Sequence, residues 1–315
     1  MMGIDSTWIE TILLVLFVCL IIVFLWVMIW DSNRFVIRKY AFQSDRLKKN
    51  CRIVFLTDLH NKEYGIGNEK LLQAIGELAP DLILIGGDML QAKPGVSFEK
   101  GAKLVLKCAE KYPVCYAFGN HEYRAGIYPE TYGTMYQDYM KCFEESNVRF
   151  LNNESVSLQE SGIRITGLNL DRQYYKRFGK RKLLEGYLSE SIGKADRASF
   201  QILLAHNPEY FPDYAGWKPD LVLSGHVHGG VARIPGYKGL VSPALRPFPH
   251  YDGGLFEEYG SRMVVSRGLG MHTIPVRLFN PGEVVVIELE TGTHAKQEGG
   301  EEASAHNQDG GAADV

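Results

Sequence analysis

Asp81-Leu82-Ile83-Leu84-Ile85-Gly86-Gly87-Asp88 decides the architecture. Four apolar residues run without polar alternation, the pattern of a strand buried on both faces. Two glycines then let the backbone turn tightly beside Asp88. A carboxylate at the C-terminal end of a buried strand stands where open α/β sheets place ligands. Taken alone, such an aspartate is more often a turn residue or helix cap. Four further stretches, however, end in the same way. Arg52 to Thr57 runs into Asp58-Leu59-His60, and Pro113 to Phe118 into Gly119-Asn120-His121-Glu122. Phe200 to Ala205 runs into His206-Asn207, and Asp220 to Gly225 into His226-Val227-His228-Gly229-Gly230. Five apolar strands each deliver Asp, His or Asn at the same end, which predicts an α/β domain with its chemistry there.

Asp58 and His60 are two residues apart, as are His226 and His228. In extended backbone alternate residues point the same way, so each pair can aim at one centre. The candidate ligands are Asp58, His60, Asp88, Asn120, His206, His226 and His228. Seven side chains overfill a single ion site but suit two ions about 3.5–4 Å apart that share a carboxylate and a hydroxide. Oxygen and imidazole donors without cysteine suit Mn, Fe, Zn or Co better than Ca or Mg. Two divalent cations set against Asp58 and Asp88 leave a net positive centre, which attracts a phosphate oxyanion. The ions lower the pKa of the bridging water and supply a nucleophile at neutral pH without changing oxidation state, so hydrolysis is the economical expectation. His121 directly follows Asn120 and should point away from the ion that Asn120 binds. A lone histidine there usually packs; beside this cluster the expectation is that it holds a phosphoryl oxygen and protonates the leaving group as general acid.

Thr57-Asp58-Leu59-His60, Gly86-Gly87-Asp88, Gly119-Asn120-His121-Glu122, His206 and Gly225-His226-Val227-His228 resemble, in order, the five blocks of calcineurin-like metallophosphoesterases. The resemblance covers roughly Arg52 to Leu289. It implies a four-layer αββα sandwich, with Asp58, His60, His228 and Asp88 on one ion and Asp88, Asn120, His206 and His226 on the other. His228-Gly229-Gly230, the later Ser266-Arg267-Gly268-Leu269-Gly270 and Pro275-Val276-Arg277-Leu278-Phe279 resemble a membrane-anchored bacterial sub-group. Some relatives in that sub-group resemble hydrolases of lipid-linked nucleotide-sugar pyrophosphates, so the implied substrate is a lipid-linked or nucleotide-sugar phosphate. Thr57 and Val227 replace the commoner Ser and Thr, and Val231 stands where the sub-group usually has Gln.

Ile9 to Trp30 is apolar apart from Glu10 and Thr11, and about 20 helical residues cross a bilayer core. A cleaved signal peptide would need a basic start and a small-residue cleavage site. The first ten residues hold no Lys or Arg and bulky residues run through to Trp30, so a retained single-pass anchor is expected. Arg34, Arg38, Lys39, Arg46, Lys48 and Lys49 all follow the span, which places the domain in the cytoplasm and the basic stretch near anionic lipids. The division read from the sequence is a flank 1–8, a transmembrane helix 9–30, a connector 31–50, a phosphoesterase domain 51–290 and a disordered tail 291–315. Helices are expected from an Asn68 cap to Ala79, from Phe98 to Lys111 and from Tyr132 to Ser146.

The 315 residues are 45% hydrophobic, enough for a sizeable core, and the net charge of −3 argues against a nucleic-acid partner. Cys19, Cys51, Cys108, Cys115 and Cys142 show no paired spacing and read as buried thiols in a reducing compartment. Arg172 to Lys182 packs six cations among three aromatics, either as a substrate-facing loop gripping an anionic headgroup or as a solvated basic helix. Arg233 to Tyr259, dense in Gly, Pro and aromatics, reads as a long loop walling the pocket. Two rival readings stand beside a hydrolase. A membrane scaffold that has lost its chemistry conflicts with every ligand position being filled. Di-iron redox chemistry lacks any accompanying cofactor signature.

Overall fold

The computed structural model describes residues 6–292 except 177–180, 236–237, 243–246 and 272–274. Most of the tail read from Thr291, part of the basic run, part of the long loop and the first five residues lie outside the described residues. Helix α1 (Ser6–Ser32) is followed by strands β1 (Phe35–Ser44) and β2 (Cys51–Leu56). Then come α2 (Glu69–Leu78), β3 (Leu82–Ile85), α3 (Glu99–Ala109), β4 (Val114–Tyr116), α4 (Asn120–Ile127), α5 (Pro129–Tyr132), α6 (Met135–Lys141) and β5 (Val148–Phe150). The second half holds β6 (Ser155–Leu158), β7 (Ile163–Leu168), α7 (Tyr187–Ile192), β8 (Phe200–Ala205), α8 (Phe211–Trp217), β9 (Leu221–Ser224), β10 (Gly254–Glu258), β11 (Ser261–Val265) and β12 (Gly282–Thr291).

The strands form two six-stranded sheets, ordered β1-β12-β2-β3-β4-β5 and β10-β11-β9-β8-β7-β6. Unalternating apolar strands need cover on both faces, and they receive it. Ile53, Phe55 and Leu84 of the first sheet meet Ile202, Leu204 and Leu223 of the second. On its other face the first sheet packs Val54, Leu56 and Ile83 against Leu71, Ile75, Leu104 and Val105. The second sheet packs Leu203 and Val222 against Leu188, Phe211 and Tyr214. The result is the expected four layers, helix–sheet–sheet–helix. Truncating a central residue such as Leu84, which no water reaches, should cost about 2–5 kcal/mol.

Three local expectations are corrected. The stretch read as a connector contains β1, which pairs in parallel with β12 and is part of the first sheet. Its alternate polar residues face outward from an edge strand, so no unbroken apolar run announced it. Because β1 climbs away from α1 by about 3.3 Å per residue, Arg46, Lys48 and Lys49 lie roughly 30 Å from the helix end, beyond a Debye length. Arg46 is instead paired with Asp220, and Lys49 with Glu160. The helix expected over Tyr132 to Ser146 is broken at Gly133 (φ 60) into α5 and α6. Asn68, at φ 64, does not cap α2 through its side chain; its Oδ1 accepts the Tyr64 N–H at 3.0 Å.

The long loop ends in β10. Of the cysteines, Cys51, Cys108 and Cys115 are buried, whereas Cys19 sits on the unpartnered helix and Cys142 is exposed at the end of α6. The described part of the basic run forms a 3-10 turn, Arg172–Tyr175, rather than an α-helix.

Candidate metal centre

All seven candidate ligands leave strand ends at one edge of the two sheets, but not by extended alternation. Asp58, His60, Asp88, His226 and His228 have positive φ (53, 46, 54, 70 and 54°). Each such turn costs roughly 1–3 kcal/mol for a residue with a side chain and persists only where its surroundings over-determine it. Those surroundings are backbone bonds between loops. Asp58 N donates to Gly87 O at 2.9 Å, and His60 N to Asp88 O at 3.0 Å. Leu269 N donates to Thr57 O at 3.1 Å. The loops are thereby bent so that side chains two apart converge.

The convergence brings together Asp58, His60 and His228, then Asp88, His206 and His226, and thirdly His60, Asp88 and His121, each group with its ligand atoms within 4.8 Å of one another. His60 Nε2 and His228 Nε2 are 3.2 Å apart, His228 Nε2 and Asp58 Oδ1 3.3 Å, and His206 Nε2 and Asp88 Oδ2 3.1 Å. Donors about 2.1 Å from a shared ion stand roughly 3.0–3.4 Å from each other, so these separations fit donors arranged round ions. His206 Nδ1 donates to the Gly86 carbonyl at 2.7 Å, which turns the Nε2 lone pair towards the centre. Asn120 belongs to no His–Asp group by residue type, but its Oδ1 is buried and has no hydrogen-bond partner among the described residues. That is the condition of an acceptor awaiting a cation.

The electrostatics agree. Burial pushes the Asp58 carboxyl up to about 6, aided by the Asp88 charge and opposed by His206. Burial works on Asp88 as well, but His206, His121 and His60 outweigh it and hold that carboxyl well below the usual range. Burial disfavours a charged His206, yet Asp88 and Asp58 raise it to about 10. Two buried carboxylates therefore demand positive charge, and in the bare protein a proton on His206 supplies it.

Four residues support the centre in ways that the sequence did not reveal, Glu122 and Arg277 among them although both lie in the motifs quoted above. Glu122 accepts from the backbone of Asp88 (2.8 Å), Met89 (2.8 Å) and Gly119 (3.1 Å) and from the Tyr116 hydroxyl (2.7 Å). A Gly-x-x-Glu pattern opening a helix was the available signal, since the third helical carboxylate commonly reaches back to the cap. Tyr175 packs its ring against His226 (5.4 Å between centroids), and its hydroxyl is buried with no hydrogen-bond partner among the described residues. Arg277 is buried and donates to the carbonyls of Arg267, Gly268 and Gly270. Asn280 donates to those of His228 (2.8 Å) and Gly230 (2.7 Å).

The Ser-Arg-Gly-Leu-Gly motif now has a physical account. Gly270 N donates to Asp58 O, and a Cβ on Gly268 (φ +67) would stand 2.6 Å from that of Asp58. Only glycine lets this segment lie against the Asp58 loop. Arg267 approaches the buried Glu283 carboxylate at 3.4 Å, and Arg38 approaches it at 2.9 Å.

The model of the calcineurin-like phosphoesterase family matches residues 51–230. The chain belongs to this family. It is 28% identical over 263 residues to an uncharacterized metallophosphoesterase of Helicobacter pylori, covering 80% of this chain and 63% of that protein. With one of Campylobacter jejuni it shares 32% over 249 residues, 77% of this chain and 60% of the other. With one of Bacillus subtilis it shares 27% over 247 residues, 76% and 79% respectively. The chain thus spans about three-fifths of the length of the Helicobacter and Campylobacter relatives. Calcineurin-like family members are metal-dependent, and the Asp–His groups of this chain are donors of the matching kind.

Proposed function

We propose that the chain is a membrane-anchored metallophosphoesterase that binds two divalent ions and hydrolyses phosphate esters or pyrophosphates on the cytoplasmic face. The observation that carries this reading is the pair of Asp–His groups, one around Asp58 and one around Asp88, linked by a 3.9 Å approach of His60 Nε2 to Asp88 Oδ2. Asp58, His60 and His228 would hold one ion; His206, His226 and Asn120 the other; Asp88 would serve both. Ions in those positions supply Lewis acidity towards phosphate and an activated water.

The role of His121 is narrower than general acid catalysis. Its Nδ1 accepts the Ala92 N–H at 2.8 Å, so the proton of the neutral ring sits on Nε2, 4.0 Å from Asp88 Oδ2. Giving up that proton would leave an imidazolate, whereas donating a hydrogen bond costs nothing of the kind. We assign His121 to stabilising charge on a phosphoryl oxygen. The membrane span rests on α1, which is long and apolar enough to cross a bilayer and has no buried residue in its apolar window. The cytoplasmic orientation rests on the six cations that follow Trp30.

The test is turnover by purified full-length protein, stripped with chelator and reloaded with Mn, Fe, Zn or Co. Hydrolysis of bis(p-nitrophenyl) phosphate or p-nitrophenyl phosphate should return with at least one metal. Failure with all four sinks the reading.

A further inference from the structure

Helix α1 meets the domain at the edge that carries the candidate ligands. β1 starts with Phe35 opposite Gly282, β12 runs antiparallel to β2, and Val285 lies opposite Phe55. The start of β1 therefore lies at the same edge of the sheet as the end of β2, one strand away from it, just before Asp58. Side chains close the junction. Asp31 is buried and its Oδ2 accepts the Asn280 N–H at 3.0 Å, while the Asn280 amide donates to the His228 carbonyl at 2.8 Å. Lys62, two residues past His60, donates to Asn33 Oδ1 at 2.8 Å. The loop that bears His60 thus touches the residue just after the helix, and the loop that bears His228 is tied to the helix end through Asn280. Because the apolar window of α1 has no buried residue among the described residues, the helix extends away from this edge, and a bilayer crossed by it must border the edge.

Apolar side chains stand there without a core to fill. Ile66 is 90% exposed at a turn between Gly65 (φ 78) and Gly67 (φ 63), just beyond Lys62. Phe279, beside Asn280 and held at φ 51, is 45% exposed. Ile234 is exposed on the segment whose Arg233 N–H donates to Leu278 O at 3.0 Å. Single exposed apolar residues need no explanation, and Leu184 and Tyr259 are exposed as well; what sets these three apart is that their loops lie at the edge from which the apolar helix departs. Each lies on a loop at the edge from which that helix departs, and Lys62 adds positive charge suited to anionic headgroups, whereas Arg34 is paired with Asp31 at 3.1 Å.

We propose that this edge is seated on the bilayer. Ile66, Phe279 and Ile234 enter the boundary between headgroups and acyl chains, so the metal centre meets phosphate carried in lipid headgroups. The proposal rests on reading α1 as a membrane span and the centre as metal-binding.

Spin labels decide the seating. Full-length protein carrying Cys19→Ala and Cys142→Ala is labelled at Ile66→Cys, Phe279→Cys or Lys111→Cys and placed in phosphatidylcholine–phosphatidylglycerol vesicles. Lys111 precedes β4 and so marks the opposite edge. Labels at 66 and 279 should be more accessible to oxygen than to a nickel chelate, with the order reversed at 111. Nickel preference at all three sites overturns the seating. For the depth of the centre, manganese-loaded protein should speed the relaxation of phosphatidylcholine nitroxide-labelled at its headgroup, and Asp88→Asn should remove the effect. A wild-type protein that carries manganese but leaves the headgroup label unaffected overturns the lipid-headgroup claim. If manganese does not bind, paramagnetic cobalt is loaded in its place; failure to bind any of the four metals strikes the proposed function instead, while the oxygen and nickel measurements still judge the seating.

Discussion

Glu122 accepts the backbone N–H of Asp88 through one carboxylate oxygen and that of Met89 through the other, both at 2.8 Å. It bolts the loop after β3 to the start of α4, and so fixes Asp88 relative to Asn120 and His121. Burial pushes its carboxyl up to about 7, the Asp88 charge adds to this, and the Tyr116 hydroxyl opposes it. Glu122→Gln replaces one acceptor with an NH₂ group facing a donor it cannot satisfy. The expected loss is about 1–3 kcal/mol in denaturant unfolding, with reduced metal content. Unchanged stability and metal loading would remove Glu122 from the support of the site.

Asp88 should matter to both ions. Asp88→Asn keeps the shape of the side chain but removes its charge, so metal content should fall from about two ions per chain towards one or none, and turnover with it. Full metal content and activity in this variant would rule out a shared carboxylate.

His121→Ala separates two kinds of catalysis. If Nε2–H stabilises phosphoryl charge, kcat should fall by about 10²–10³-fold on p-nitrophenyl and alkyl esters alike, with metal content intact. A loss confined to the alkyl ester, whose leaving oxygen needs a proton, would restore the general acid role.

Metal binding should release protons. His206 is cationic in the bare protein up to about pH 10, although burial opposes that charge, because Asp88 and Asp58 outweigh the burial. An ion takes the Nε2 lone pair only after that proton leaves. Affinity should therefore weaken by roughly tenfold per unit as pH falls from 8 to 6, and more steeply below about 6, where Asp58 also takes up a proton. Without metal the sign is opposite: the His206 cation stabilises the fold fully below about 6.5 and this contribution is lost as pH rises through about 10. Calorimetry in buffers of different ionisation enthalpy counts the protons, and a pH-independent affinity would contradict the assignment of His206 as a ligand.

The parts legible in the sequence were those written in short range. Strands such as Leu82–Ile85 are buried on both faces and carry an unbroken apolar signature, so the Asp, His and Asn residues after them could be found by position. What stayed hidden depends on distant partners. Asn280 reaches His228 across 52 residues and Asp31 across 249, and no local periodicity encodes either bond. Thr57–Asp58 and Gly225–His226 looked extended by composition, and only the loop-to-loop bonds that force positive φ bend them. Gly133 lies within a helical pattern, and the positive φ that glycine permits is what breaks it.

The pairing of β1 with β12 joins residues 35–44 to residues 282–291. During synthesis β1 emerges while nearly all of the domain is unmade. β1 then waits with a bare edge until the last strand arrives, and β12 must slot between β1 and β2 rather than add to an outer side. Closing a loop of this span is entropically slow, and an open strand edge is a template for mispairing. The first sheet therefore closes only once residues 282–291 have been made, and a stalled chain lacking β12 is the species to look for in a chaperone's grip.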